Sequence, residues 1–168
     1  MEELKIPKER ISMLVGVRGS TKRKIQKLTD TKITVNSEMG DVLIEGDSLN
    51  CFNCLNVIKA IARGFNPDIA LKLLNEDFRL EVIPLDEFAR NKKDLIRIRS
   101  RLIGTKGKAR ENLEGISKAN IEIYGKTVAI IGEIDGILVA KQGITNLLHG
   151  SKHGNVYAYM EKQKLRYK

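Results

Sequence analysis

The stretch Leu102–Ile103–Gly104–Thr105–Lys106–Gly107–Lys108–Ala109–Arg110–Glu111–Asn112–Leu113 reads as the end of one helix, a Gly-x-x-Gly turn and the start of another helix. Two residues without a Cβ let the backbone turn sharply and come close to a ligand. Lys106 lies between the glycines, and Lys108 and Arg110 follow. Amide groups opening a helix, flanked by cations, suit a phosphate backbone. A merely basic connection between two helices would have the same composition, but the pattern recurs. Leu14–Val15–Gly16–Val17–Arg18–Gly19–Ser20–Thr21–Lys22–Arg23–Lys24–Ile25 repeats it, again with a cation before the second glycine.

The repeat extends outward from the two loops. Gly16, Gly19, Leu28, Ile33 and Val35 map 88 positions on, to Gly104, Gly107, Ile116, Ile121 and Ile123. Beyond a hairpin the offset is 86, from Val42, Ile44 and Gly46 to Val128, Ile130 and Gly132. A period this long describes two copies of a small domain and not a solenoid.

Each copy reads β-α-α-β-β-α. In the first, a short strand ends at Lys5–Ile6, and Pro7 is suited to the first helical position. Ile11, Leu14 and Val15 form an apolar face, Ser20 and Thr21 are candidate N-caps, and Ile25 and Leu28 point inward. Strands over 31–35 and 41–45 precede a helix from about Ser48 to Arg63. Asn66 and Pro67 start a short amphipathic helix, expected to pack rather than act as a flexible tether. In the second copy, a strand over 78–83 leads through an irregular 85–93 into a helix carrying Leu95, Ile98 and Leu102. Strands over 120–124 and 127–131, a helix from about Glu133 to Leu148 and a terminal helix over 155–166 follow.

The formal net charge is +9 and the pI about 9.6. Such an excess points to a polyanionic partner. Residues 1–76 hold 12 Lys/Arg and 10 Asp/Glu, and residues 77–168 hold 18 and 11. Over residues 90–110 there are nine cations and one acid, against six and one over 10–30. On this count the second loop is expected to dominate binding. Arg97, Arg99 and Arg101 lead into that loop and are expected to contact the polyanion. Few aromatic residues and no Trp argue against base stacking on a recognition sheet.

No apolar run approaches membrane-spanning length and the acidic start is unlike a signal peptide, so no membrane partner and a cytoplasmic location are expected. Cys51 and Cys54 fall on the apolar stripe of a helix, where free cysteine acts as a small hydrophobe. Their long separation from His149 and His153 argues against zinc, and no metal or other cofactor is expected. His153 is expected to order a turn beside Gly154. Asp86 and Glu87 have no nearby nucleophile or His, and no catalytic residue is assigned.

The element order, with the Gly-x-x-Gly between the first two helices, resembles the type I KH domain, which clamps about four single-stranded nucleotides. The resemblance implies an α+β fold of two tandem type I KH domains, each a three-stranded sheet packed by helices. The expected division is residues 1–65, a helical linker over 66–76, a second domain over 77–150 and a C-terminal helix over 151–168 packing on the core. It also implies an aliphatic base groove, lined by Val15, Ile25 and Ile33 in the first domain and by Ile103, Leu113, Ile121 and Ile123 in the second. The expected RNA contacts are completed by Gly16, Val17, Arg18, Gly19, Lys22 and Arg23, and by Gly104, Thr105, Lys106, Gly107, Lys108 and Arg110.

The joint Gly64–Phe65–Asn66–Pro67, the run Tyr124 to Gly132 and the ending His153 to Tyr157 resemble the partner-of-Nob-one family of small-subunit assembly factors. The Krr-type sibling factors are similar to a lesser degree. The chain resembles an archaeal member, since it lacks the long eukaryotic N-terminal extension. It keeps an intact first Gly-x-x-Gly where eukaryotic members have a degenerate one. The resemblance implies a monomeric single-stranded RNA-binding protein acting at the 3′ end of the small-subunit rRNA. The implied partners are the rRNA-maturing endonuclease and the alpha subunit of initiation factor two. A generic KH regulator of RNA, and an RNA-processing enzyme that uses KH domains for grip, are the alternatives.

Overall fold

The computed structural model describes residues 1–167, which fall into two compact units, the first over Met1–Asn75 and the second from Glu76 onward. In the first unit the order is β1 (Glu2–Lys5), α1 (Ile11–Val15), α2 (Ser20–Thr29), β2 (Lys32–Asn36), β3 (Asp41–Glu45), α3 (Ser48–Ala62) and α4 (Pro67–Ala70). The second contains β4 (Phe78–Pro84), α5 (Lys92–Ile103), α6 (Lys108–Ser117), β5 (Asn120–Tyr124), β6 (Thr127–Glu133), α7 (Ile134–Leu148) and α8 (His153–Arg166). Each unit has a three-stranded antiparallel sheet with its last strand in the middle, ordered β1-β3-β2 and β4-β6-β5.

The central strands carry the cores. Val42 and Ile44 of β3, and Val128 and Ile130 of β6, are fully buried. Period-two alternation sends these side chains to the helix-covered face. Helix starts follow local chemistry. Asp47 accepts from Leu49 N at 3.2 Å, Asn66 from Asp68 N at 2.9 Å and Asn91 from Asp94 N at 2.9 Å, each satisfying an otherwise orphaned amide. Pro7 takes the cap position (φ −57°, ψ 136°), one residue ahead of a single 3-10 turn over Lys8–Arg10, instead of the first helical position.

Two sequence expectations for α2 fail. Ser20 and Thr21 do not cap it: Gly19 takes the cap in the left-handed region (φ 75°, ψ 14°), so Ser20 is already helical. Leu28 is 54% exposed, and Thr29 takes the inward place one turn after Ile25, its hydroxyl donating to Ile25 O at 2.7 Å. Ser117 repeats that bond to Leu113 O at 2.7 Å in α6.

An anchor recurs in both units. The Arg10 guanidinium donates to Ile61 O (2.8 Å) and Phe65 O (2.9 Å) at the C-terminus of α3. That of Arg101 donates to Leu147 O (3.1 Å) and Ser151 O (2.7 Å) at the C-terminus of α7. These carbonyl pairs are related by the 86-residue offset. A cation there adds a second donor to Ile61 O and Leu147 O, which also accept from Gly64 N (3.1 Å) and Gly150 N (3.0 Å), and it meets the negative end of the helix dipole.

Helix α4 and the 3-10 turn Leu71–Leu74 pack on α3 within the first unit, with Ala70 and Phe65 buried. In the second unit α8 lies against α6 and α7, burying Val156 and Met160. His153 opens α8 and places Nε2 2.9 Å from Arg101 O, so it ties the helix to the end of α5 instead of ordering a turn. Among the described residues no helix is long and apolar enough to cross a membrane.

Met160 fills space left by Gly143 of α7. Met160→Ala should therefore lower unfolding free energy by roughly 2–4 kcal/mol, from lost burial and a residual cavity. Urea denaturation measures it, and a loss below about 1 kcal/mol would show that α8 contributes little to the core.

Candidate nucleic-acid interface

The loops joining α1 to α2 and α5 to α6 have nearly the same backbone. Gly16 has φ 75°, ψ 178° and Gly104 has φ 75°, ψ 175°. This region of backbone space is essentially closed to side chains. Space forbids one as well. A Cβ on Gly104 would stand 2.7 Å from Ala109 Cβ and N, and one on Gly16 would stand 2.8 Å from Thr21 Cβ and N. Arg18 (φ 55°, ψ 31°) and Lys106 (φ 55°, ψ 29°) are held left-handed, as are Gly19 and Gly107. Gly19 N donates to Gly16 O, and Gly107 N to Gly104 O, both at 3.2 Å. A Cβ on Gly107 would meet nothing within 4 Å. The backbone there faces open space.

A groove of about 300 Å³ borders the second loop. Ile103 and Ile123 form its apolar sides, and Lys106, Gly107, Arg110 and Glu111 its polar rim. Thr105, Lys106 and Lys108 are exposed at the loop, as are Val17 and Arg18 at the first. Four aliphatic residues assigned to the grooves lie beneath them. Ile25, Ile33, Leu113 and Ile121 are at most 2% exposed and belong to the core, Ile25 and Leu113 on the buried sides of α2 and α6, Ile33 and Ile121 on the edge strands β2 and β5. Val15, Ile103 and Ile123 are half-buried and do reach the surface.

The cations divide by their partners. Arg101 is committed to the α7 carbonyls described above. Arg97 pairs with Asp94 at 3.5 Å. The Arg90 amide holds the Asp94 carboxyl below the usual carboxylate range; burial opposes it, and the Arg97 and Arg90 guanidinium groups reinforce it. Arg99 has its Nε buried without a hydrogen-bond partner. Arg110 bonds Glu122 at 2.9 Å, with Glu114 3.6 Å away. In the first unit Arg23 Nη1 donates to Arg18 O at 2.6 Å, bracing the loop, and Lys22 is half-buried beside it.

These pairings correct the charge comparison. The repeat aligns residues 10–30 with 98–118, which hold six cations and one acid, and six cations and two acids. Windows starting at 90 and stopping at 110 include the 90–93 cations and omit Glu111 and Glu114. Over these aligned windows the two loops carry nearly the same formal charge, +5 and +4. Glu111, absent from the sequence reading, lines the groove where the first unit has Arg23. Its position four residues after Gly107, on the same helix face, was the available signal.

Cys51 and Cys54 are buried on α3, with Cys51 Sγ directed at Ile44 O at 3.7 Å. Burial pushes the Cys54 thiol pKa up, which favours the protonated form over the metal-binding thiolate. His149 stacks edge-on against Phe88 in the second unit. Among the described residues no group of three His, Cys, Asp or Glu is placed to hold a metal ion.

A model of the eukaryotic-type KH domain, type I, matches residues 79–165, and the general KH model matches residues 1–60. A KH domain-containing protein of Methanocaldococcus jannaschii is 37% identical over this whole chain, which spans 76% of that protein. The pre-rRNA-processing protein pno1 of Schizosaccharomyces pombe is 27% identical over 93% of the chain, which spans 61% of that relative's length. The crystal structure of the a/eIF2alpha–aDim2p–rRNA complex from Pyrococcus horikoshii OT3 contains a chain with 45% identity and a TM-score of 0.91, covering 98% of this chain and 94% of that one.

The loop geometry separates the roles of the two glycines. Gly104→Ala should cost on the order of 3 kcal/mol, from both strain and overlap with Ala109, whereas Gly107→Ala should cost about 1 kcal/mol, since only its left-handed φ is penalised. Urea midpoints of the two variants test this, and equal losses would contradict the assignment of close packing to the first glycine alone. With two KH units, the loop in each and the likeness along its length, the chain belongs to the partner-of-Nob-one (Pno1/Dim2) family of paired type I KH proteins.

Proposed function

We propose that this protein binds single-stranded RNA through both Gly-x-x-Gly loops and acts as an assembly factor at the 3′ end of the small-subunit rRNA. One observation carries the reading. Two loops 88 residues apart repeat the same Gly-only backbone, each opening a helix whose first turn is basic. Such a backbone lets a sugar-phosphate chain approach helix-opening amides while Lys and Arg neutralise it. The direct contacts in this reading are Gly16, Val17, Arg18, Gly19 and Lys22 in the first unit. In the second they are Ile103, Gly104, Thr105, Lys106, Gly107, Lys108 and Ile123.

The Pyrococcus horikoshii complex joins a relative to rRNA and a/eIF2alpha, which supports rRNA and the alpha subunit of initiation factor two as partners here. The endonuclease that matures the rRNA 3′ end is proposed from family membership. The protein's contribution in this reading is to hold and position RNA, with no chemical step of its own. Crosslinking separates it from a generic RNA regulator, because only an assembly factor enriches the small-subunit rRNA 3′ end selectively.

Replacing Thr105 and Lys106 by Asp puts two negative charges where a phosphate must sit. Affinity for a single-stranded rRNA 3′-end oligonucleotide should fall by at least about tenfold, equivalent to about 1.4 kcal/mol. Val17→Asp with Arg18→Asp should cost a similar factor, because the loops match in backbone and charge. Melting temperature should barely move, since all four side chains are exposed. The slope of log K against log salt should be about −3 to −4 for four to six phosphate contacts. Equal affinity for a perfect duplex of the same sequence would overturn the proposal.

A further inference from the structure

The two units differ at three positions that meet in space beside the second groove. Arg110 Nη1 donates to Glu122 Oε2 at 2.9 Å, and Arg110 Nε lies 3.6 Å from Glu114 Oε1. Glu114 is itself fixed, since its other oxygen accepts from Ile121 N at 2.9 Å. The 88-residue repeat puts Lys22, Gln26 and Thr34 at the corresponding places in the first unit. Gln26 keeps the backbone bond, accepting from Ile33 N at 2.8 Å. The guanidinium and both carboxylates are missing there.

The Arg110 side chain is 40% exposed and borders the groove with Ile103 and Ile123. Among the described residues nothing bonds its Nη2 group. Within this trio two carboxylates offset the guanidinium, so Arg110 offers a phosphate less than Lys106 does on the same rim. The clamp does keep a planar donor at a fixed angle beside an apolar surface. An arginine fork held in this way matches paired acceptors, whereas a lysine is a rotatable point charge.

We infer that Arg110, positioned by Glu122 and Glu114, is a base-reading residue of the second groove. It selects a nucleobase with two adjacent acceptors, guanine (O6 and N7) or cytosine (O2 and N3), over adenine and uracil. The first groove, with Lys22, binds without that selection. The inference rests on the proposal that the second groove is an RNA site, and it moves Arg110 from the phosphate contacts to the base contacts.

The test uses the full chain carrying Val17→Asp and Arg18→Asp, so that only the second groove reports. Its probes are the heptamers UUUNUUU, with N as each of the four bases. The G and C heptamers should bind at least about fivefold tighter than the A and U heptamers. Adding Arg110→Gln should bring all four to the uracil level while leaving the salt slope unchanged. Adding Glu122→Gln removes a negative charge, so affinity for the uracil heptamer should hold or rise while discrimination falls. A purely electrostatic role would raise all four equally and overturn the inference. The chain carrying Thr105→Asp and Lys106→Asp instead should show nearly flat affinities, set by the first groove. If Arg110→Gln weakens all four heptamers alike and reduces the slope by about 0.7, Arg110 is a phosphate contact and the inference fails. Flat discrimination by the second groove before substitution overturns base reading alone. Failure of any heptamer to bind there overturns the RNA reading and the inference with it.

Discussion

The constraint on which this protein depends is a backbone conformation that only glycine adopts, imposed twice. At Gly16 and Gly104 the chain turns with φ near 75° and ψ near 180°, directly over the first turn of the following helix. A side chain at either place would suffer strain and would strike Thr21 or Ala109. The turn then holds Arg18 and Lys106 in a left-handed conformation that costs about 1 kcal/mol each. The surrounding unit must supply that energy. It does so by fixing both flanking helices on an antiparallel sheet whose central strand is buried.

The anchors behind the loops show how the same physics was reused. Arg10 and Arg101 come from different positions in their segments, yet they bond equivalent carbonyls at the ends of α3 and α7. Both join the segment ahead of a loop to the helix that covers the sheet. The charge of Arg101 is spent on architecture, as is that of Arg10. The differences lie around the loops, where Lys22 corresponds to Arg110, Arg23 to Glu111 and Thr34 to Glu122 by the 88-residue repeat. A duplicated scaffold with divergent rims can bind the same polymer in two places and read it differently in each.

Much of this was legible in the sequence because it rests on local rules. Period-two alternation delimited β5 over 120–124, and Asn66 with Pro67 marked the start of α4. The glycine spacing located both loops and, by subtraction, the repeat. What was missed depends on partners distant in sequence or on conformations that side-chain patterns do not encode. Ser20 and Thr21 looked like caps because Ser and Thr usually are, but Gly19 had already entered the left-handed region. Leu28 fitted an apolar stripe, yet Thr29 closes that face by bonding Ile25 O and Thr31. Ile25, Ile33, Leu113 and Ile121 are core residues, and an aliphatic residue that lines a groove is indistinguishable in sequence from one buried beneath it. The commitments of Arg101, 46 and 50 residues from its partners, and of Arg110, 12 residues from Glu122, required the tertiary structure.

The central claim is that two equivalent loops, rather than any other surface, meet single-stranded RNA. Backbone amide chemical-shift mapping of the full chain during titration with a single-stranded rRNA 3′-end oligonucleotide tests it most directly. The account predicts that the largest changes cluster at residues 16–22 and 104–110, together with Ile103 and Ile123. Largest changes on the outer faces of α3 and α7, with both loops silent, would contradict it.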